Sequence, residues 1–119
     1  PKNIEILSFL SQENLLIYLN KSEFYIQLSI SEGFPNALCE AMLCGCIPIG
    51  SKVGAIPNII DSTGFLMESS NNIYIKKEFK SILALNNSKR KELAQSARER
   101  VENEYHIEKR QNKFLDLIK

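Results

Sequence analysis

The sequence has few residues of the kinds that mark specialised proteins. It contains one histidine, three cysteines and no tryptophan in 119 residues, and its 15 basic and 14 acidic residues leave a net charge of +1. Because these charges are mixed along the chain, no nucleic acid is expected as a partner. No apolar run approaches the ~20 residues of a membrane span, and no signal peptide precedes the first predicted strand, so the cytoplasm is the expected compartment.

The cysteines and the histidine give little support for metal or redox chemistry. The odd number and close spacing of Cys39, Cys44 and Cys46 argue against disulfides. We interpret Cys44 and Cys46 as small buried packing residues, with redox or metal work as the alternative. His106 is interpreted as a cap or surface residue rather than a catalytic base. With no D-x-D motif and no metal-ligand spacing, no metal and no cofactor are expected.

The composition is that of an ordinary folded domain. With 44% hydrophobic and 24% charged residues, residues 1–119 are predicted to form a single domain that buries roughly 65% of its unfolded surface. The chain begins at Pro1 and enters an apolar segment at once, without an initiating methionine. We therefore expect it to be a fragment of a longer protein.

Residues 24–51 are the stretch around which the other elements are arranged. An almost unbroken apolar run over residues 24–30 is typical of a parallel strand covered on both faces, which predicts the α/β class. Residues 31–33 then supply a cap residue, a charge and a flexible glycine. A helix is predicted to begin near Pro35 or Asn36, because proline is tolerated in the first helical turn.

This central helix is predicted to lie close on the sheet. Gly45 ends it as a C-terminal cap would, and a second apolar strand follows over residues 47–50. The side chains expected to face the sheet are apolar or small, namely Leu38, Met42 and Leu43 with Ala37 and Ala41.

The rest of the chain gives weaker but regular signals. We expect a strand over residues 4–9 and then a helix over residues 13–20, which Ser11 caps and whose Leu15, Leu16 and Leu19 face inward. After the central stretch we expect a short helix over residues 57–60, a strand over 64–67 and a polar linker over 68–72. Helices are predicted from Ile75 to Leu83, then through Leu93, Ala97, Val101 and Tyr105 with Ser88 as cap, and finally over 107–118. The basic residues of these helices are interpreted as solvated faces, with contact to anionic lipid as the alternative: Lys76, Lys77, Lys89, Arg90 and Lys91.

The strand, turn and helix of the central stretch favour binding of an anion. At the carboxyl edge of a parallel sheet, the free N–H groups and positive dipole of a helix N-terminus favour phosphate. Glu32 precedes this N-terminus, and Glu40 lies roughly one turn inside it, ~6 Å along the axis at 1.5 Å per residue. Because carboxylates accept hydrogen bonds from vicinal hydroxyls, the pair suits sugars on either side of a diphosphate. This pattern describes a nucleotide sugar.

The residues of this unit resemble a known enzyme family. Glu32-Gly33-Phe34-Pro35, followed by Glu40-Ala41-Met42, Gly45 and Pro48, closely resembles the E-x7-E segment of retaining glycosyltransferases with two Rossmann-like domains, the GT-B type, especially glycosyltransferase family 4 or glycosyl transferases group 1. The likeness extends to residues 6–19, 53–60 and 61–66 and to the tail with Ala97-Arg98 and Tyr105. It therefore covers nearly the whole chain.

The resemblance implies a fold and a reaction. The fold would be a three-layer, Rossmann-like parallel sheet of about four strands with C-terminal helices, forming the C-terminal, nucleotide-sugar-binding half of the enzyme. The reaction would be transfer of a hexosyl group from a nucleoside-diphosphate sugar to an acceptor hydroxyl with retention, in polysaccharide, lipopolysaccharide or glycolipid synthesis. The enzyme would be cytoplasmic or peripheral at the inner membrane face, and the family does not generally require a metal.

The resemblance also implies roles for individual residues. Glu32, the catalytic residue, would contact the donor-sugar hydroxyls, and Glu40 would contact the ribose hydroxyls. Ser31 and Gly33 would shape the turn. The backbone N–H groups expected to bind the diphosphate are those of Phe34, Asn36, Ala37 and Leu38. Pro35, which has no N–H, is part of the same donor-binding segment.

Several positions depart from the family pattern. Ser8 and Ala55 stand where the family usually has glycine, and Asn58 where it often has glutamate, so base and sugar preferences are left open. The arginine and lysine that grip the diphosphate, and the domain that binds a saccharide or lipid-linked acceptor, belong to parts of the family that this chain lacks. We therefore expect these 119 residues to bind donor weakly and to turn nothing over.

The fold implied by the resemblance also predicts how the strands of the sheet are arranged. In the strand order 3-2-1-4-5-6, residues 4–9 would be strand 3 and residues 24–29 strand 4, with strands 1 and 2 missing between them. Either the first strand moves beside the second, or the exposed sheet edge pairs with another copy of the chain.

The motif also has interpretations that do not involve catalysis. Two glutamates at such a turn can be a favourable helix-terminus charge and a solvated surface residue. The whole chain can also be a non-catalytic nucleotide- or phosphate-binding module, and a flavodoxin-like or sugar-phosphate-binding domain is a more distant alternative.

Overall fold

A parallel sheet of three strands forms the centre of the chain in the computed structural model, which describes residues 3–29, 35–68 and 72–105. Within these residues the elements are, in chain order, α1 Gln12–Lys21, β1 Phe24–Gln27, α2 Asn36–Leu43, β2 Ile47–Ser51, α3 Ile56–Ile60, β3 Phe65–Met67, α4 Asn72–Leu83 and α5 Asn87–Glu104. The α/β class expected from the sequence is confirmed.

The strands follow one another across the sheet in sequence order. Both pairs are parallel, with Phe24 opposite Ile47 and Ile49 opposite Phe65. This order is the one expected for consecutive strands on one side of a doubly wound sheet. The described residues contain three strands where about four were expected.

Helices cover both faces of the sheet. On one face, Ile82 of α4 packs with Ile49 and Met67. On the other face, α2, α3 and α5 share a core that includes Met42, Ile59 and Val101, and residues of α1 join it. The predicted three-layer arrangement is therefore confirmed.

Local signals set the ends of the first two helices. The Ser11 side chain accepts a hydrogen bond from the Asn14 N–H at 3.2 Å, as a cap residue should, and α1 buries Leu16 and Leu19. After α2, Gly45 adopts a φ of +87° and its N–H donates to the Met42 carbonyl at 3.0 Å. Glycine reaches this left-handed conformation without steric cost, which explains why α2 ends there.

The expected cap of α5 is wrong by two residues. Asn86, not Ser88, precedes the helix, and its side-chain oxygen accepts the Lys89 N–H at 2.8 Å. Ser88 is already the second helical residue. Asparagine and serine are similarly good caps, so the sequence alone did not separate them. The predicted stripe of this helix is confirmed, because Leu93, Ala97 and Val101 are buried.

The predicted strand over residues 4–9 is also wrong. These residues form neither strand nor helix, and Ile6 and Phe9 leave 93% and 98% of their surface exposed. A strand forms only when its backbone groups pair with a neighbour, and no strand in the described ranges pairs with this segment. The option of a first strand beside β1 is therefore not realised.

Several predictions fall outside the described part of the chain. Among them are the final helix over residues 107–118, the role of His106 and most of the polar linker over 68–72. The shorter elements agree with expectation, since α3 and β3 begin within one residue of their predicted starts.

Candidate functional site at the carboxyl edge of the sheet

Two connections leave the sheet at the same edge. The chain leaves β1 after Gln27 and enters α2 at Asn36, and it leaves β2 after Ser51 and enters α3 at Ile56. Because β1 and β2 are parallel, both connections lie at the carboxyl edge. Open parallel sheets bind their ligands at this edge.

The first turn of α2 is open to solvent on one side only, because Leu38 and Cys39 are buried. Pro35 precedes the helix and is buried, and its carbonyl accepts the N–H groups of Leu38 at 3.1 Å and Cys39 at 3.4 Å. Asn36 and Ala37 are exposed. The first N–H groups of an α-helix have no partner within the helix, so this turn is suited to an anion.

Glu40 lies one turn inside α2, on its more open side. The side chain is half-buried and shares a stripe with Asn36 and with Cys44, whereas Leu38 and Met42 on the opposite side are fully buried. The distance from Asn36 along the axis is ~6 Å at 1.5 Å per residue. The carboxylate therefore belongs to the side of α2 that continues from the exposed first turn.

One expected contact of α2 is wrong. Ala37 was predicted to let the helix lie close on the sheet, but it is exposed, while Ala41 is completely buried as expected. The two alanines are four residues apart, so they lie on the same side of the helix, and only the one that is a turn further along α2 is covered. Identical residue types gave the sequence pattern no basis for separating them.

Four of the predicted site residues lie outside the described residues. They are Ser31, Glu32, Gly33 and Phe34. The relation between Glu32 and Glu40, on which the predicted chemistry depends, therefore stays a prediction. Pro35, Asn36, Ala37, Leu38 and Glu40 all lie on the first two turns of α2 or at its start.

A hydroxyl joins the ends of β1 and β2 beside this turn. The Ser51 Oγ accepts the Ser29 N–H at 2.9 Å and donates to the Ser29 carbonyl at 2.8 Å. Sequence reasoning did not select Ser51. The available signal was a hydroxyl residue at the carboxyl end of a buried strand, next to the predicted ligand edge.

The connection from β2 to α3 forms the other side of the edge. The Lys52 N–H donates to the Met67 carbonyl at 3.3 Å, and its side chain pairs with Glu68 at 3.4 Å. Gly54 has a φ of +54° and is exposed. Ala55, where the family usually has glycine, packs against the core and precedes α3 in a right-handed helical conformation, which alanine adopts readily.

Arg100 of α5 holds the last turn of α3. Its guanidinium donates to the carbonyl of Ile59 at 2.8 Å and to the carbonyl of Asn58. It also lies 3.9 Å from the Asp61 carboxylate. The last carbonyls of a helix lack partners within it, so a side chain from α5 satisfies them and fixes α3.

The cysteines next to Glu40 are electrostatically unsuited to reaction. Burial, and secondarily the charge of Glu40, raise the pKa of Cys39 to about 11. Burial, then Cys46 and Glu40, raise the pKa of Cys44 to about 12 against a smaller opposing effect of Arg98. Burial raises the pKa of Cys46 to about 11, and its thiol donates to the Leu19 carbonyl at 3.3 Å. All three are free thiols that fill space beside α2.

A cavity of about 270 Å³ lies at the opposite, amino edge of the sheet, between the start of α5 and the residues before β1 and β2. Arg90 on its wall was predicted to be part of a solvated helix face, and this is wrong. Its guanidinium donates to the carbonyls of Leu83 and Leu85, pairs with Glu23 at 3.0 Å, and lies over the Phe24 ring. Arg90 joins α5 to the start of β1.

The described part of the chain shows neither a metal-binding group nor a membrane-spanning helix. Residues 3–29, 35–68 and 72–105 contain no group of three or more histidine, cysteine or acidic side chains placed to hold a metal ion. None of the helices in these ranges is long and apolar enough to cross a membrane.

The chain is similar to one known protein family and to several curated proteins. The family model for glycosyl transferases group 1 matches residues 1–100. The N-acetyl-alpha-D-glucosaminyl L-malate synthase of Bacillus anthracis is 32% identical over 100 residues, which are 82% of this chain and 26% of that protein. The trehalose synthase of Pyrococcus horikoshii is 35% identical over 99 residues, which are 82% of this chain and 23% of that protein.

A further trehalose synthase, from Thermococcus litoralis, is 32% identical over 99 residues, with the same coverage of 82% and 23%. The chain thus spans about a quarter of the length of the curated relatives it matches.

Proposed function

The chain belongs to the glycosyl transferases group 1 family, and on that premise we propose that it binds a nucleoside-diphosphate sugar at the carboxyl edge of its sheet. The observation that carries the proposal is the start of α2. An exposed helical turn begins at Asn36, at the edge where parallel sheets bind ligands, and Glu40 follows one turn later on the open side of the helix.

Different residues of this motif bind different parts of the donor. The backbone N–H groups of Phe34, Asn36 and Ala37 bind the diphosphate, because the helix dipole favours negative charge at the start of α2. Leu38, whose N–H donates to the Pro35 carbonyl, belongs to the same donor-binding segment. Glu40 accepts hydrogen bonds from the ribose hydroxyls, and Glu32, as the catalytic residue, contacts the hydroxyls of the sugar that is transferred. Ser31 and Gly33 shape the turn between strand and helix.

The reaction is the transfer of a hexosyl group with retention. The bond between the anomeric carbon and the diphosphate oxygen breaks, the acceptor oxygen bonds to that carbon, and the acceptor hydroxyl loses its proton. Negative charge develops on the diphosphate as it leaves. Backbone dipoles already oriented toward that charge lower the barrier, since they need no reorganisation during the reaction.

The whole enzyme requires more than this chain. A saccharide or lipid-linked acceptor binds to a separate N-terminal domain, and an arginine and a lysine from the first half of the donor-binding domain also hold the diphosphate. The product is a polysaccharide, lipopolysaccharide or glycolipid, made in the cytoplasm or at the inner face of its membrane. The 119 residues alone bind donor weakly and have no transfer activity, and no metal is required.

The open edge of β1 provides a partner surface. No strand in the described part of the chain pairs with its outer side, and Ile26 and Leu28 leave 50% and 44% of their surface exposed. An unpaired apolar edge is a template for another strand. We infer that, in isolation, this chain associates with a second copy of itself through β1.

Titration of the full-length protein with UDP-, GDP- and ADP-glucose tests the site. Glu40→Ala removes a charged acceptor, and a hydrogen bond to a charged group contributes about 1.5–3 kcal/mol. Binding of every donor should therefore weaken roughly tenfold or more. Glu99→Ala, which removes an exposed carboxylate from α5, is the matched control and should leave donor binding unchanged.

Two outcomes would count against the proposal. Unchanged donor binding by Glu40→Ala would remove the assigned site. Tight donor binding without any transfer to acceptors by the full-length protein would favour the non-catalytic binding module instead.

A further inference from the structure

The pairing of β1 with β2 ends before the two strands reach the ligand edge. The last residues in register are Gln27 and Gly50. Two residues further along, the backbone of Ser29 is bonded to the Ser51 side chain: its N–H donates to the Ser51 Oγ at 2.9 Å, and its carbonyl accepts from the same oxygen at 2.8 Å. One hydroxyl thus serves as both acceptor and donor.

This double contact fixes the point from which the chain leaves the sheet. Both backbone groups of Ser29 are held by an atom of β2, which lies in the centre of the sheet between β1 and β3. Both hydrogen bonds are partly buried, so water competes with them less than at an open surface.

We propose that Ser51 is a positioning residue for donor binding: its hydroxyl fixes the backbone of Ser29, just after β1, at the edge of the sheet where the donor is proposed to bind. The inference rests on the proposed function, because it needs the donor to bind at this edge. Ser51 itself need not touch the donor. It acts through Ser29, so its loss should weaken donor binding more than its contribution to stability explains.

Thr63 provides a matched control for a purely structural hydroxyl. Its Oγ1 donates to the Ile60 carbonyl at 2.6 Å and is buried. Thr63 lies in the turn before β3, which is the amino edge of the sheet. Thr63→Val therefore removes a hydroxyl hydrogen bond of the same kind at the edge away from the proposed site.

The experiment compares Ser51→Ala, Ser51→Thr and Thr63→Val in the full-length protein. Dissociation constants for UDP-, GDP- and ADP-glucose are measured by calorimetry, and melting temperatures are measured in parallel without ligand. Ser51→Ala removes both hydrogen bonds to Ser29, so it should weaken donor binding roughly three- to tenfold. Ser51→Thr, which keeps the hydroxyl, should restore it to within about twofold, and Thr63→Val should lower the melting temperature without weakening binding.

Each alternative outcome has a distinct meaning. If Ser51→Ala binds donor as the wild type does while Glu40→Ala does not, the positioning role is wrong and the proposed function stands. If Thr63→Val weakens binding as much as Ser51→Ala, the Ser51 effect is only one of stability, and the inference is overturned. If Glu40→Ala also leaves binding unchanged, the proposed function itself fails.

A second variant covers the case in which Ser51→Ala does not fold. Ser51→Cys keeps a side chain of similar size with much weaker hydrogen bonding. It should weaken donor binding roughly two- to threefold, and unchanged binding by a folded Ser51→Cys protein would overturn the inference.

Discussion

The Arg100 Nε donates to the Ile59 carbonyl at 2.8 Å, across 41 residues of sequence. The same guanidinium bonds to the Asn58 carbonyl, and its side chain keeps 24% of its surface exposed. It also lies 6.0 Å from the centre of the Tyr105 ring. This one side chain joins α5 to α3, the helix that follows β2 at the carboxyl edge of the sheet.

Arg100→Ala should lower the free energy of unfolding by about 1–3 kcal/mol, because it leaves two carbonyls at the end of α3 without their partner. Urea denaturation followed by circular dichroism measures the change. Arg98→Ala is the matched control on the same helix. Arg98 forms an ion pair with the exposed Glu102 at 2.8 Å, and such pairs contribute about 0.3–0.5 kcal/mol. Equal losses in the two variants would contradict the proposed role of Arg100.

The three cysteine thiols should react slowly in the folded protein. Burial raises the pKa of Cys39 and Cys46 to about 11 and that of Cys44 to about 12, so little of the reactive thiolate is present at mildly alkaline pH. Iodoacetamide labelling read by mass spectrometry should be slow in buffer and complete in denaturing urea. Rapid modification of any one of them in the folded chain would show that the thiol is activated.

The same raised pKa values predict a loss of stability at high pH. Above the ordinary thiol pKa of 9.0, the unfolded chain releases protons that the folded chain keeps, so the free energy of unfolding should fall as the pH rises toward about 11. Lysine and tyrosine also titrate in this range. Cys46→Ala therefore serves as the comparison, and its stability should decline less steeply with pH than that of the wild type.

The isolated 119-residue chain should associate through β1. Sedimentation velocity should show a concentration-dependent dimer, and Ile26→Lys should shift it to monomer, because a charge on an exposed strand edge opposes pairing. Ile73→Lys is the control: Ile73 leaves 79% of its surface exposed but belongs to α4. A monomer at all concentrations, or equal effects of the two lysines, would contradict the proposal.

The sequence was sufficient wherever the deciding interaction is local. The Ser11 cap, the left-handed Gly45 and the start of α2 are set by residues within one turn of each other, and all three agree with the structure. The E-x7-E motif is likewise a local spacing, and it led to the family that the comparison with known proteins supports. The placement of residues 35–40 at the start of α2 was therefore available from the sequence, and their role in donor binding stays a prediction.

The errors arise where a residue's surroundings come from distant parts of the chain. An apolar run over residues 4–9 fits a strand, but it forms none because no described strand pairs with it. Arg90 fits a solvated helix face, but Glu23 and two carbonyls hold it. Ala37 and Ala41 are the same residue type, and only the packing of α2 shows which one is buried.

By itself, the sequence determined the α/β class, the order of most helices and strands, and the glycosyltransferase motif, since these depend on periodicity and spacing between near neighbours. Only the tertiary structure decided that Ser51 bonds to Ser29, 22 residues away, and that Arg100 bonds to the end of α3. A hydrogen-bonding side chain can find its partner wherever the fold brings a free backbone group within reach. No local pattern encodes that encounter, and the contacts that shape the candidate site are of this kind.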